Sequence, residues 1–101
     1  DSSLEMKKML EYEKEGITWA KKHKIRIPDG NSKGLKTYYV ADFCVNRNGD
    51  IYIEETKGWL KAVDKHKAII AIKYCIERGW HYRFYLGTTI NLIMELSSDT
   101  A

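Results

Sequence analysis

The sequence predicts an α/β domain in which a mixed sheet is flanked by helices. Three observations carry that reading: two stretches with helical apolar spacing, two β-rich runs joined by an Asn-Gly turn, and an alternating run directly after the second helix. The 101 residues suit one domain with one modest core and are too few for two. An apolar fraction of 44% and a charged fraction of 31%, with no polar low-complexity tract, exclude a disordered chain.

The elements follow in order. Ser2 and Glu5 have capping-box spacing, and Leu4, Met6, Met9 and Leu10 recur with helical periodicity up to a stop at Gly16. Ile17, Thr18 and Trp19 make a short extended piece, and Lys21, Lys22, His23 and Lys24 form a basic patch. Ile25, Arg26 and Ile27 then alternate as a strand that Pro28 ends. Turn formers fill the stretch from Pro28 to Gly34, and a strand rich in aromatic and β-branched residues is predicted from Thr37 to Val45. Asn48-Gly49 is a hairpin turn, and Ile51 to Lys57 returns as the partner strand. Asp64 to Arg78 carries the second helix, with Gly79 at its left-handed C-terminal position. Trp80 to Leu86 alternates as a strand, Gly87 breaks it, and Thr88 or Thr89 caps a last short helix through Leu96.

Charge and cysteines narrow the function classes. A net charge of +3 and a pI near 8.8 permit a polyanionic partner, and Lys57, Lys61, Lys65, His66 and Lys67 cluster beside a group of carboxylates. Cys44 and Cys75 lie in apolar runs without CxxC or Cys/His spacing, so buried free thiols are expected rather than a zinc site or disulfide. Neither a bilayer-spanning run nor a signal-peptide pattern occurs, which leads to the expectation of a cytoplasmic protein without a membrane partner.

The hairpin carries the chemistry. Strand residues alternate between faces, so Ile53, Glu55 and Lys57 share one side, and Asp42 on the partner strand approaches Glu55 if the register agrees. Two carboxylates and an ammonium then converge, with the Thr56 carbonyl as a further oxygen. Mg²⁺ takes such ligands and completes its octahedron with water and substrate phosphate, while Lys57 orients or deprotonates the attacking water.

Tyr39-Val40-Ala41-Asp42-Phe43, a turn, and Tyr52-Ile53-Glu54-Glu55-Thr56-Lys57-Gly58 together resemble the motif of the PD-(D/E)XK nuclease superfamily, with Ala41 in place of the usual proline. Ser3-Leu4-Glu5 is similar to the Ser-x-Glu of its phage-type and transposase-associated members, and Lys65 to Trp80 resembles the helix and Gly-Trp strand entry that follow Glu-x-Lys there. The resemblance spans most of the chain. It implies a restriction-endonuclease-like αβββαβ core and Mg²⁺-dependent DNA hydrolysis, with Mn²⁺ as a substitute ion, giving 5′-phosphate and 3′-hydroxyl ends. Glu5, Asp42, Glu55 and Lys57 would be catalytic, and Glu5, Asp42, Glu55 and Thr56 would hold the metal. A phage or mobile-element setting, such as DNA processing or junction resolution, goes with it.

Lys61, Lys65, His66 and Lys67 are the expected DNA contacts, since cations are disfavoured at a helix N-terminus and need another reason to be there. A homodimer with one site per strand is expected of so small a domain. Plainer roles compete: Glu5 as a capping-box residue, Glu55 with Lys57 as a surface ion pair, Glu54 solvated on the opposite face, and Trp59 and Trp80 as core or interface groups. The rival function is a non-catalytic nucleic-acid-binding or assembly module, and a more distant one is an enzyme for a small phosphorylated substrate.

Overall fold

The computed structural model describes residues 2–26 and 38–96. The turn predicted from Pro28 to Gly34, and the flanking Ile27 and Thr37, lie outside the described residues. The elements are α1 (Ser2–Glu15), β1 (Thr18–Arg26), β2 (Tyr38–Arg47), β3 (Asp50–Lys57), α2 (Ala62–Arg78), β4 (His81–Leu86) and β5 (Asn91–Leu96). The chain is therefore α/β, as expected. Its five strands form one mixed sheet in the order β1-β2-β3-β4-β5, with β3 and β4 parallel and every other pair antiparallel.

The β2-β3 hairpin closes as the sequence predicts. Arg47 pairs with Asp50, and both central residues have positive φ, 55° at Asn48 and 95° at Gly49, as a type I′ turn requires. The Asn46 side chain accepts a hydrogen bond from the Gly49 N–H at 2.8 Å and holds the turn. From β3 the chain crosses to parallel β4 through α2, which puts the C-terminal end of β3 beside the N-terminus of that helix.

A helix covers each face of the sheet. On one side Tyr12 of α1 packs with Phe43 and Val45, against Met9, Trp19 and Tyr52. On the other, Ala68, Ala71 and Cys75 of α2 meet Ile53, Tyr82 and Phe84. Cys44 and Cys75 are free thiols, and burial pushes that of Cys75 up to about 12. Among the described residues no helix is long and apolar enough to cross a membrane.

The structure corrects four local expectations. The residues up to Leu96 form strand β5, not a helix: Gly87 and Ile90 take positive φ, the chain reverses, and the open edge of β4 pairs with it. Met94 and Leu96 then pack against the α2-side core at strand spacing. Second, the basic patch does not separate two strands but lies within β1, where Lys22 at φ 59° redirects the following side chains. Trp19 and Lys21 before it meet α1, whereas His23 after it hydrogen-bonds to Tyr74 of α2 at 2.9 Å.

Third, α1 buries Leu4, Lys8 and Tyr12, spaced by four, and leaves Met6 and Leu10 exposed. The Ser2 side chain, on which the capping-box role of Glu5 would rest, lies outside the described atoms. Fourth, α2 begins at Ala62, two residues before Asp64, and the Asp64 carboxylate accepts the Lys61 N–H at 3.0 Å. Asp64 is thus the N3 acid of the helix start, where a negative charge is favoured.

Candidate functional site

Sheet register decides whether the predicted acids meet. Phe43 pairs with Glu54, so Asp42 and Glu55 are the next residues along β2 and β3. The Glu55 carboxylate accepts a hydrogen bond from the Asp42 backbone N–H, and the Asp42 charge raises the affinity of Glu55 for a proton. Asp42 is held from the far side, because its Oδ2 accepts both the Thr56 N–H at 2.8 Å and the Thr56 hydroxyl at 3.3 Å.

Electrostatics follow from this crowding. Burial, then the Asp42 charge, pushes the Glu55 carboxyl up to about 7, against opposing pulls from Lys57 and Lys67. Burial and the Glu5 charge push Asp42 up as well, while the Thr56 hydrogen bonds and Lys57 pull it down. The Tyr82 hydroxyl reaches Glu55 Oε2 at 3.5 Å, at the limit of a hydrogen bond. Two neighbouring acids are therefore held where both resist ionising, Glu55 through burial and the Asp42 charge, Asp42 through burial and the Glu5 charge.

A divalent cation could be held by Asp42 and Glu55. It would replace the repulsion between Asp42 and Glu55 with two favourable contacts. The Thr56 carbonyl is available on the same side, since a strand residue's N–H and C=O point the same way and its N–H faces Asp42. The neighbouring Lys57 carbonyl points the other way, to the Gly87 N–H at 2.9 Å. Among the described residues no group of three or more His, Cys, Asp or Glu side chains is gathered to hold an ion. One or two carboxylates with water suits Mg²⁺ and does not suit zinc.

Glu5 lies at the rim. Its charge reaches Asp42, but its carboxylate pairs with Lys21 of β1 at 3.7 Å. Lys57 follows Glu55 by one strand period and acts electrostatically on both acids. Beyond it a pocket of about 370 Å³ is lined by Lys57, Gly58, Trp59, Lys61, Val63, Asp64 and Lys67. Of the four predicted DNA contacts, Lys61 and Lys67 line this pocket, whereas Lys65 and His66 are not part of its wall.

Two residues next to the motif behave differently from expectation. Glu54 is fully buried rather than solvated, because α1 covers its face of the sheet. It accepts the Tyr12 hydroxyl at 2.6 Å, pairs with Arg47, and has Lys8 at 3.8 Å and Arg83 at 4.0 Å. Trp59 is not a core group: it is 70% exposed at the mouth of the pocket. Sequence spacing shows neither, since both depend on what the rest of the chain packs against or leaves bare. No family model matches this chain, and neither a curated protein nor a solved structure is significantly similar to it.

Proposed function

We propose that this chain is a divalent-metal-dependent DNA endonuclease with a PD-(D/E)XK-type site. The observation that carries the reading is the mutual approach of Asp42 and Glu55 at the end of β3, beside Lys57 and a lysine-lined pocket. The element order α1-β1-β2-β3-α2-β4 is the αβββαβ order that the motif's resemblance implies, with β5 added at the edge.

Asp42, Glu55 and the Thr56 carbonyl would hold Mg²⁺ or Mn²⁺. An ion there would offset phosphate charge and make its bound water more acidic. The remaining roles belong to the protein. Lys57 sits where its ammonium orients the attacking water and balances charge on the scissile phosphate. Lys61 and Lys67 hold the neighbouring phosphates across the pocket, and Tyr82 fixes the Glu55 rotamer. Glu5, paired with Lys21 through one carboxylate oxygen, acts on the site through its charge on Asp42 and would add a further oxygen to the ion. Hydrolysis leaves 5′-phosphate and 3′-hydroxyl ends, and a homodimer would bring one such site to each strand.

A non-catalytic binding module is less consistent with the geometry, because paired carboxylates repel phosphate unless a cation lies between them. The test is cleavage of plasmid and branched DNA with Mg²⁺, comparing the natural chain with Asp42→Ala and Lys57→Ala. The proposal expects cleavage by the natural chain and a loss of at least about 100-fold in each variant. Cleavage that persists in both variants contradicts it.

A further inference from the structure

The pocket at the N-terminus of α2 carries a feature that phosphate binding alone does not use. Trp59 stands in the short connection between β3 and α2 with 70% of its surface exposed, beside a cavity walled by Lys57, Lys61 and Lys67. The Lys61 ammonium lies over the indole at 5.9 Å from its centroid, at the limit of a cation-π contact, and still leaves Trp59 70% exposed. Among the described residues other large aromatic rings pack together, as in the Tyr12, Trp19 and Phe43 group and the Tyr74 and Trp80 pair. The exposed indole and the lysine-lined wall are independent observations.

We propose that this pocket is a nucleotide subsite in which the Trp59 indole stacks on one unpaired base while Lys57, Lys61 and Lys67 hold its phosphates. Bases inside a duplex are stacked on their neighbours and present only their edges, so away from a duplex end an indole gains a base face at an unpaired or extruded nucleotide. A cavity of about 370 Å³ is small-ligand sized and holds a single nucleotide rather than a helix. Apolar Val63 offers further contact, and Asp64 is occupied by the Lys61 N–H. The inference rests on the nuclease reading and deepens it: the substrate carries an unpaired nucleotide next to the cut, as in a flap, tail or branch.

The test is the affinity of the full chain, in Ca²⁺, for three fluorescein-labelled probes: a blunt duplex, the same duplex with a single-stranded thymidine tail, and the tailed duplex with abasic sites in the tail. Loss of one base stack is expected to weaken Trp59→Ala on the tailed probe by roughly 5- to 100-fold. Trp59→Phe restores most of that loss, and abasic sites abolish the difference between variants. Circular dichroism confirms that the exposed substitution leaves the fold intact. A tail preference that is absent in the natural chain, or unchanged by Trp59→Ala, overturns the subsite. Cleavage by the Asp42→Ala and Lys57→Ala variants is scored separately: its persistence in both sinks the nuclease reading without touching a Trp59-dependent preference, and its loss leaves the subsite to stand or fall on the probes.

Discussion

At the scale of single residues, Glu55 has the most direct consequence. Its carboxyl is pushed up to about 7 from an ordinary value of 4.5, so the folded chain holds a proton that the unfolded chain has released. Stability from this group is fully present below pH 4.5 and is lost as pH rises through about 7. Metal-free protein is therefore expected to lose stability across that window, and Glu55→Gln to flatten the profile, in urea denaturation at stepped pH. A profile unchanged by the substitution contradicts the assignment. Asp42, Glu55 and Lys57 were legible in the sequence because alternation along a strand and pairing across an Asn-Gly hairpin are local rules. Glu54 was not, because whether an acid on the second face is solvated depends on where α1 docks. Of the two roles expected for Trp59, the exposed surface excludes the core one, because an aromatic residue's burial depends on what the rest of the chain packs against it.

At the scale of elements, the Glu54 cluster fixes β3 from behind the site. Lys8 from α1, Arg47 from β2 and Arg83 from β4 surround one carboxylate on the central strand, with Tyr12 hydrogen-bonded to it. Both guanidinium groups lie over the Tyr52 ring, at 4.7 and 4.6 Å from its centroid, and the ring stacks on His81. Removing the shared anion leaves the buried Lys8 with Glu11 at 3.7 Å and the Tyr85 ring, and Arg47 without its buried partner, so Glu54→Ala is expected to cost about 3–5 kcal/mol in denaturant unfolding. Tyr12→Phe, which removes one hydrogen bond to a charged acceptor, is expected to cost about 1.5–3 kcal/mol. A cost below that of an ordinary surface substitution would show that the cluster does not anchor β3. The last element shows the limit of periodicity: Leu92, Met94 and Leu96 suit a strand, yet the run is short enough to read as a capped helix. The free edge of β4, a tertiary feature, decides between them.

For the whole molecule, the modest net charge matters less than its placement. Lys57, Lys61 and Lys67 converge on one pocket at the carboxyl end of β3, next to the crossover into α2, where α/β sheets commonly bind ligands. DNA affinity is expected to fall with salt, and Lys67→Ala to reduce the slope of log affinity against log salt by about 0.7–0.9 in fluorescence titrations. An unchanged slope would remove Lys67 from the phosphate contacts. Light scattering, with and without DNA, decides the dimer: a monomer in both conditions contradicts it.

The central claim is that Asp42 and Glu55 form one divalent-cation site, and calorimetric titration of the metal-free chain with Mn²⁺ tests it most directly. The account predicts a single site per chain that is lost in both Asp42→Asn and Glu55→Gln, with proton release on binding near neutral pH. Equal Mn²⁺ affinity in the natural chain and the two variants would contradict it.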